Sequence, residues 1–117
     1  MSRQDRLRSN LGEFEQILLL AVARLGPRAS GPAVRRELDR QAGRAPSRGA
    51  LYRTFDRLEA KGFLSWTLEP DADGYRDGHP LRRFEVTDAG LRSLRQSRGV
   101  LLNLWDGLEE LLQEPSR

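Results

Sequence analysis

The chain has 117 residues, of which 38% are hydrophobic and 32% are charged, and its formal net charge at neutral pH is +3. This size suits one domain with a modest core, and no apolar run approaches the roughly 20 residues that a membrane-spanning helix needs. The absence of cysteine excludes a disulfide framework or a thiolate metal site, and residues 1–10 lack the apolar centre of a secretion signal, so we expect a cytoplasmic protein with no membrane partner and no cofactor.

The chain opens with a polar, arginine-rich segment that is followed by a strongly apolar helix. We interpret residues 1–10 as an N-terminal basic arm. Residues 11–25 predict a helix that is buried over much of its circumference, because its apolar side chains recur at helical spacing. Gly26 and Pro27 end this helix.

Two further helices joined by a short turn are predicted next. The first begins at residues 30–32, where Pro32 occupies the first turn and its missing N–H costs nothing. Residues 43–46 form a tight connection to a helix over residues 47–61. Two helices of this size, joined by a few residues that include a glycine, are typical of a helix-turn-helix.

The helix over residues 47–61 has two distinct faces. Its apolar side chains recur at i, i+4 and i+7, at Leu51, Phe55 and Leu58. The opposite face carries guanidinium and phenol groups, at Arg48, Tyr52 and Arg53. An ordinary amphipathic helix with a solvated face explains this pattern as well as a helix that enters the major groove of DNA.

A change from helical to β periodicity follows this helix. Residues 63–68 are aromatic or β-favouring, and residues 81–87 form a second predicted strand. Residues 69–80 are rich in Asp, Gly and Pro and predict a loop. A hairpin placed directly after a helix-turn-helix is a wing, so residues 11–87 are predicted to form a winged helix-turn-helix domain.

Residues 88–117 are predicted to form a C-terminal dimerisation helix and tail, with Thr87 as the N-cap. Apolar residues at alternating steps of three and four make a heptad-like seam that a second copy of the chain would cover. The alternative is that this stripe folds back onto the first helix of its own chain. The candidate dimer contacts are Phe14, Leu91, Leu94, Leu101, Trp105, Leu108 and Leu112. The predicted fold is therefore mostly α with a small β-hairpin.

Four segments, in this order and spacing, resemble the PadR-like family of bacterial transcriptional regulators. They are LGEFEQ at residues 11–16, SRGALY at 47–52, DRLEAKG at 56–62, and TDAG at 87–90, which resembles the Thr-Pro-x-Gly turn after the wing in that family. The resemblance implies sequence-specific binding of double-stranded DNA by a homodimer, usually as a repressor that reads an inverted repeat. The single C-terminal helix resembles the branch of the family with a short C-terminal region.

This sequence departs from the family pattern at two places. Ser30 stands where relatives often carry an aromatic residue, and the wing tip contains Asp71, Asp73 and Asp77 where relatives tend to be more basic. The second departure bears on how deeply the wing enters a minor groove.

The resemblance makes the helix from Ser47 the recognition helix, and its N-terminal residues are expected to face base edges. Arg48 and Arg53 suit guanine readout or phosphate binding, whereas residues farther along the helix suit backbone contacts or remain solvated. On the wing, alternation directs one of Arg82 and Arg83 outward and does not say which. The candidate DNA contacts are Ser47, Arg48, Gly49, Tyr52, Arg53, Arg57, Lys61, Arg76 and His79.

Two other functional classes are weighed against a DNA-binding regulator. An enzyme is disfavoured, because the one histidine and the serines show no catalytic spacing and no metal-ligand cluster is present. A winged-helix adaptor that binds proteins would keep the same fold, but would carry exposed aliphatic residues where this chain has arginines. At the centre of the seam, Trp105 is a candidate contact for a small aromatic effector, and ordinary packing is the alternative.

Overall fold

The computed structural model describes residues 11–69, 75–76 and 79–113, with the backbone alone at 75–76 and 79–80. The predicted basic arm at residues 1–10 lies outside this part of the chain. The described helices are α1 (Glu13–Leu25), α2 (Gly31–Ala42), α3 (Arg48–Ala60) and α4 (Asp88–Trp105), with a 3-10 turn at Gly26–Arg28. The described strands are β1 (Leu64–Glu69), β2 (Tyr75–Arg76) and β3 (His79–Val86).

Three of the helices begin at hydroxyl N-caps. The side chains of Ser30, Ser47 and Thr87 accept hydrogen bonds from the backbone N–H groups three residues later, at 3.3, 3.1 and 3.0 Å. Each bond satisfies one of the amide donors that a helix start leaves without an intrahelical partner. The N-caps predicted at Ser47 and Thr87 are thereby confirmed.

Each of the four described helices is followed within two residues by a glycine of positive φ, and Gly26 directly follows α1 as predicted. Gly43 adopts a left-handed conformation with φ 63° directly after α2, in the predicted turn. The helix α4 ends at Trp105, and Gly107 follows with φ 83°. The prediction that the seam helix continues to Leu112 is therefore wrong. The positive φ of Gly107 is incompatible with a continuing α-helix, and Leu108 and Leu112 lie beyond the end of the helix.

The wing is built on the antiparallel pairing of β1 with β3, in which Trp66 lies opposite Phe84. The short β2 pairs with the start of β3, so the strand order is β1-β3-β2. The predicted loop over residues 69–80 is corrected here, since it contains β2 and β3 begins at His79. Ser30 adds an isolated bridge to Arg83, which attaches the start of α2 to the same strand.

The core lies between the three N-terminal helices and the inner face of the hairpin. Leu18, Leu38, Leu51 and Phe55 are each at most 1% exposed. The rings of Phe55 and Phe84 stack at a centroid distance of 3.8 Å and join α3 to β3. This arrangement confirms the predicted winged helix-turn-helix fold.

The C-terminal helix α4 packs on the body of the protein through small residues. Gly90, Ser93 and Ser97 are buried, and the helix contacts α1 and β3. At Gly90 a Cβ atom would lie 2.8 Å from Cγ1 of Val86 and closer still to the carbonyl oxygen of Phe63, so no side chain fits. The side of α4 that carries most of the seam therefore faces outward. No helix in the described part of the chain is long and apolar enough to cross a membrane.

Candidate nucleic-acid interface

The N-terminal half of α3 presents unneutralised positive charge. Arg48, Gly49 and Arg53 are exposed, and the Ser47 hydroxyl caps the helix directly beside them. Among the residues that the structure describes, no carboxylate forms an ion pair with Arg48 or Arg53. This end of the helix therefore offers two guanidinium groups and the free first-turn amides to an anionic ligand.

Tyr52 lies at the boundary between the two faces of α3. Its ring is half-buried and packs edge-on against Phe55 at a centroid distance of 5.3 Å. The phenol end lies against Gly31 at the start of α2, where a Cβ atom would be 2.9 Å from Cζ of Tyr52 and nearer still to its hydroxyl oxygen. On the other side, the guanidinium of Arg48 lies 5.5 Å from the ring centroid. Tyr52 thus supports Arg48, a role that the helical pattern alone did not indicate.

The cations at the C-terminal end of α3 are paired with a carboxylate on α1. Lys61 Nζ donates to both carboxylate oxygens of Glu15, at 2.9 and 3.0 Å, and Arg57 Nε lies 3.7 Å from Oε2. A second pair joins Arg44, in the turn before α3, to Glu13. Arg57 and Lys61 are predicted to contact the DNA backbone or to remain solvated. The structure places both beside Glu15 with 58% and 36% of their side chains exposed, and their contacts with DNA remain predictions.

The carboxyl groups of two buried glutamates, Glu15 and Glu37, have lowered pKa values. Burial raises the pKa of the Glu15 carboxyl, but hydrogen bonds from Lys61 and from the Gly12 N–H outweigh it and leave the pKa below its usual value. Hydrogen bonds from Arg24 and Arg40 lower the pKa of the Glu37 carboxyl. Both groups are therefore carboxylates at neutral pH and act as fixed negative charges among the cations of the helices.

In the wing, Arg82 and Arg83 lie on opposite faces of the sheet, and the sequence does not indicate which of them faces outward. Arg82 shares a sheet face with Phe84 and lies over the ring of Trp66, with 4.4 Å between the guanidinium carbon and the ring centroid. The indole N–H of Trp66 donates in turn to Glu59 on α3. Arg83 lies on the opposite face and pairs with Glu69 at 3.4 Å. The wing arginine beside α3 is therefore Arg82.

The other two wing candidates, Arg76 and His79, face each other across the β2–β3 pairing. Their side chains lie outside the part of the chain that the structure describes. Their predicted contacts with DNA remain predictions.

Most of the predicted seam is uncovered in the single chain. Leu94 and Phe14 pack partly against the chain's own core. The remaining seam residues are between 39% and 52% exposed, and they are Leu91, Leu101, Trp105, Leu108 and Leu112. Leu102, Leu104 and Leu111 widen this apolar surface. The seam beyond Leu94 does not fold back onto α1.

A cavity of about 420 Å³ lies between the end of α1, the outer face of the hairpin and the start of α4. Pro27, Arg83 and Leu91 are among its lining residues, and Trp105 is not. Within the described ranges, no group of three or more acidic, histidine or cysteine side chains is arranged to hold a metal ion.

Comparison with protein families gives one match that covers about two thirds of the chain. The model of the transcriptional regulator PadR-like family matches residues 19–96, which run from α1 to the middle of α4. No protein of curated function is significantly similar in sequence.

Solved structures share the fold along most of their length. A PadR family transcriptional regulator from Eggerthella lenta is 26% identical, with a TM-score of 0.63 over 88% of each chain. A PadR-like transcription factor from Bacteroides fragilis is 20% identical, with a TM-score of 0.69 over 92% of this chain and 94% of that one. A PadR family regulator from Clostridium difficile is 15% identical, with a TM-score of 0.64 over 86% and 99% of the two chains.

Proposed function

This chain belongs to the PadR-like family of transcriptional regulators and is a DNA-binding regulator rather than an enzyme, and from that premise we propose that it is a homodimeric repressor that reads an inverted-repeat operator through α3. The observation that carries the proposal is the distribution of free charge on that helix. Arg48 and Arg53 reach solvent without a carboxylate partner among the described residues, whereas Arg57 and Lys61 are paired with Glu15.

The N-terminal half of α3 is the part that we assign to the major groove. The Ser47 N-cap leaves first-turn amides beside Arg48, so one phosphate can be held at the helix start while the guanidinium groups face base edges. Gly49 is exposed and lets the phosphate backbone approach closely. The guanidinium of Arg48 lies over the ring of Tyr52, which supports it.

The wing adds a second contact region next to α3. We assign Arg82 to a phosphate or to the minor-groove edge, because the Trp66 ring holds its guanidinium on the side of the sheet that faces α3. Arg76 and His79 remain candidates farther along the hairpin.

The exposed surface of α4 supports the dimer. A soluble monomer rarely leaves so many large apolar side chains in water, and here Leu101, Leu104 and Trp105 are 50%, 68% and 47% exposed. A second copy that buries this surface gives two recognition helices related by a twofold axis, which suits half-sites about 34 Å apart. A flat aromatic effector would meet Trp105 at this interface.

The test is a mobility shift with the DNA upstream of the protein's own gene. Each of Arg48→Ala and Arg53→Ala is expected to weaken specific binding by about 5- to 150-fold, as expected for loss of one bidentate contact. The matched control is Arg92→Ala, which removes an exposed arginine from α4. Retardation equal to that of the unmodified protein by both α3 variants would refute the assignment of this face.

A further inference from the structure

The carboxylate of Glu15 lies where the start of α1 meets the end of α3. Its side chain is 8% exposed. The backbone N–H of Gly12 donates to Oε1 at 2.8 Å and holds the carboxylate in the first turn of its own helix. Arg57 of α3 and Lys61, the C-cap residue directly after α3, approach it from the other side. Glu15 is therefore fixed on one side by α1 and binds two cations at the end of α3 on the other.

The two cations keep contact with solvent although both lie beside the carboxylate of Glu15, whose single negative charge leaves the group of three with a net charge of +1. The side chains of Lys61 and Arg57 are 36% and 58% exposed. If a DNA phosphate took either cation away, the buried carboxylate of Glu15 would lose part of its compensation, which is unfavourable in a site that water reaches poorly. Because Gly12 holds the carboxylate in place, Glu15 does not follow its partners outward.

The other end of α3 differs in this respect. Arg53 is exposed and, within the described residues, pairs with no carboxylate, and Arg48 lies over the Tyr52 ring. Binding a phosphate there breaks no buried ion pair. The N-terminal end of α3 is therefore available to DNA, whereas the cations at its C-terminal end are already paired with Glu15.

We propose that Glu15 is a specificity-determining residue, which pairs with the cations at the C-terminal end of α3, lowers their combined charge from +2 to +1, and thereby favours DNA binding at the N-terminal half of that helix. The inference rests on the proposed role of α3 in reading DNA. According to this inference, Glu15 affects DNA binding although its side chain is buried.

The effect on specificity follows from what phosphate contacts contribute. Each additional phosphate contact releases counterions and strengthens binding to every sequence alike. A helix with four available cations would therefore gain affinity for random DNA without gaining discrimination between bases. By pairing with two of the four, Glu15 makes their contact with a phosphate less favourable, which lowers sequence-independent affinity and leaves base readout unchanged.

The experiment measures how binding of the full chain to a random-sequence duplex depends on salt, by fluorescence anisotropy. Glu15→Gln keeps the shape of the side chain and removes its charge. We expect the slope of log K against log salt to steepen by about 0.9 for each cation that engages a phosphate, hence by about 0.9 to 1.8. The control Glu110→Gln makes the same change in net charge at an exposed position beyond α4 and should leave the slope unchanged.

A second pair of variants tests the inference even if Glu15→Gln does not fold, which circular dichroism would reveal. On a random-sequence duplex Arg53 has no matched base to read and is expected to contact a phosphate, so Arg53→Gln should reduce the slope by about 0.9. Lys61→Gln should reduce it by less than half of that, because Lys61 is already paired with Glu15. Equal reductions by the two variants, or an unchanged slope in folded Glu15→Gln, would overturn the inference. An unchanged slope in Arg53→Gln would instead refute α3 as the DNA surface, and the inference would fall with it.

Discussion

The contact between Gly31 and Tyr52 predicts that a substitution normally favourable in a helix destabilises this protein. In Gly31→Ala, the new Cβ atom would lie 2.9 Å from Cζ of Tyr52 and closer to its hydroxyl. The phenol ring cannot simply swing away, since its edge packs against Phe55, which is 1% exposed. Overpacking of this kind costs about 1–3 kcal/mol, against a gain of up to about 1 kcal/mol from helix propensity. We therefore expect a net loss of about 1–2 kcal/mol.

A double-mutant cycle with Tyr52→Ala isolates this cause. In the Tyr52→Ala background the added methyl group meets no ring, so Gly31→Ala should become neutral or stabilise by up to about 1 kcal/mol. Urea unfolding at one protein concentration gives all four free energies. The matched control is Gly49→Ala, where the new Cβ would meet only the mobile end of Arg53, at 3.2 Å. If Gly31→Ala unfolds at the same urea concentration as the unmodified protein, the steric argument is wrong.

Two further outcomes are expected. Leu101→Glu places a charge in the exposed apolar surface of α4 and should convert dimers to monomers at micromolar concentration, as measured by sedimentation velocity. Leu68→Glu is the control, because Leu68 of the wing is 52% exposed and Leu101 is 50% exposed, and it should leave the dimer intact. If dimers survive Leu101→Glu, the interface lies elsewhere. The lowered pKa of Glu37 means that the stability gained from its pairing with Arg24 and Arg40 is present above the carboxyl's unfolded pKa, about 4.3, and is lost as the pH falls through the folded value. Glu37→Gln should thus lose less stability than the unmodified protein between neutral and acid pH, and parallel losses would contradict the assignment.

Local signals in the sequence account for most of the fold. Serine and threonine N-caps, glycine ends and the switch in periodicity after Gly62 are short-range features, and the structure confirms the three-helix unit and hairpin that they predict. The exception is the end of α4. The seam pattern continues to Leu112, but periodicity does not report the left-handed conformation of Gly107 that ends the helix first.

The candidate site was only partly predictable because its contacts are long-range. Glu15 and Lys61 are separated by 46 positions, and no local pattern reports that they meet. The helical pattern places Tyr52 on the face opposite the apolar residues, with Arg48 and Arg53. In the structure its ring is half-buried, because Gly31 has no Cβ atom and leaves room for the phenol. Sequence patterns indicate which residues carry charge, whereas tertiary packing decides which charges remain available.

The hydroxyl group of Thr87 joins three elements at one point. It donates to the carbonyl of Gly62, where α3 gives way to β1, and accepts from the N–H of Gly90 in the first turn of α4. The Thr87 N–H also donates to the carbonyl of Phe63. These three hydrogen bonds attach the first turn of α4 directly to the segment that joins α3 to β1. In the proposed dimer, a change in the angle between the two paired α4 helices would therefore also change the separation of the two α3 helices.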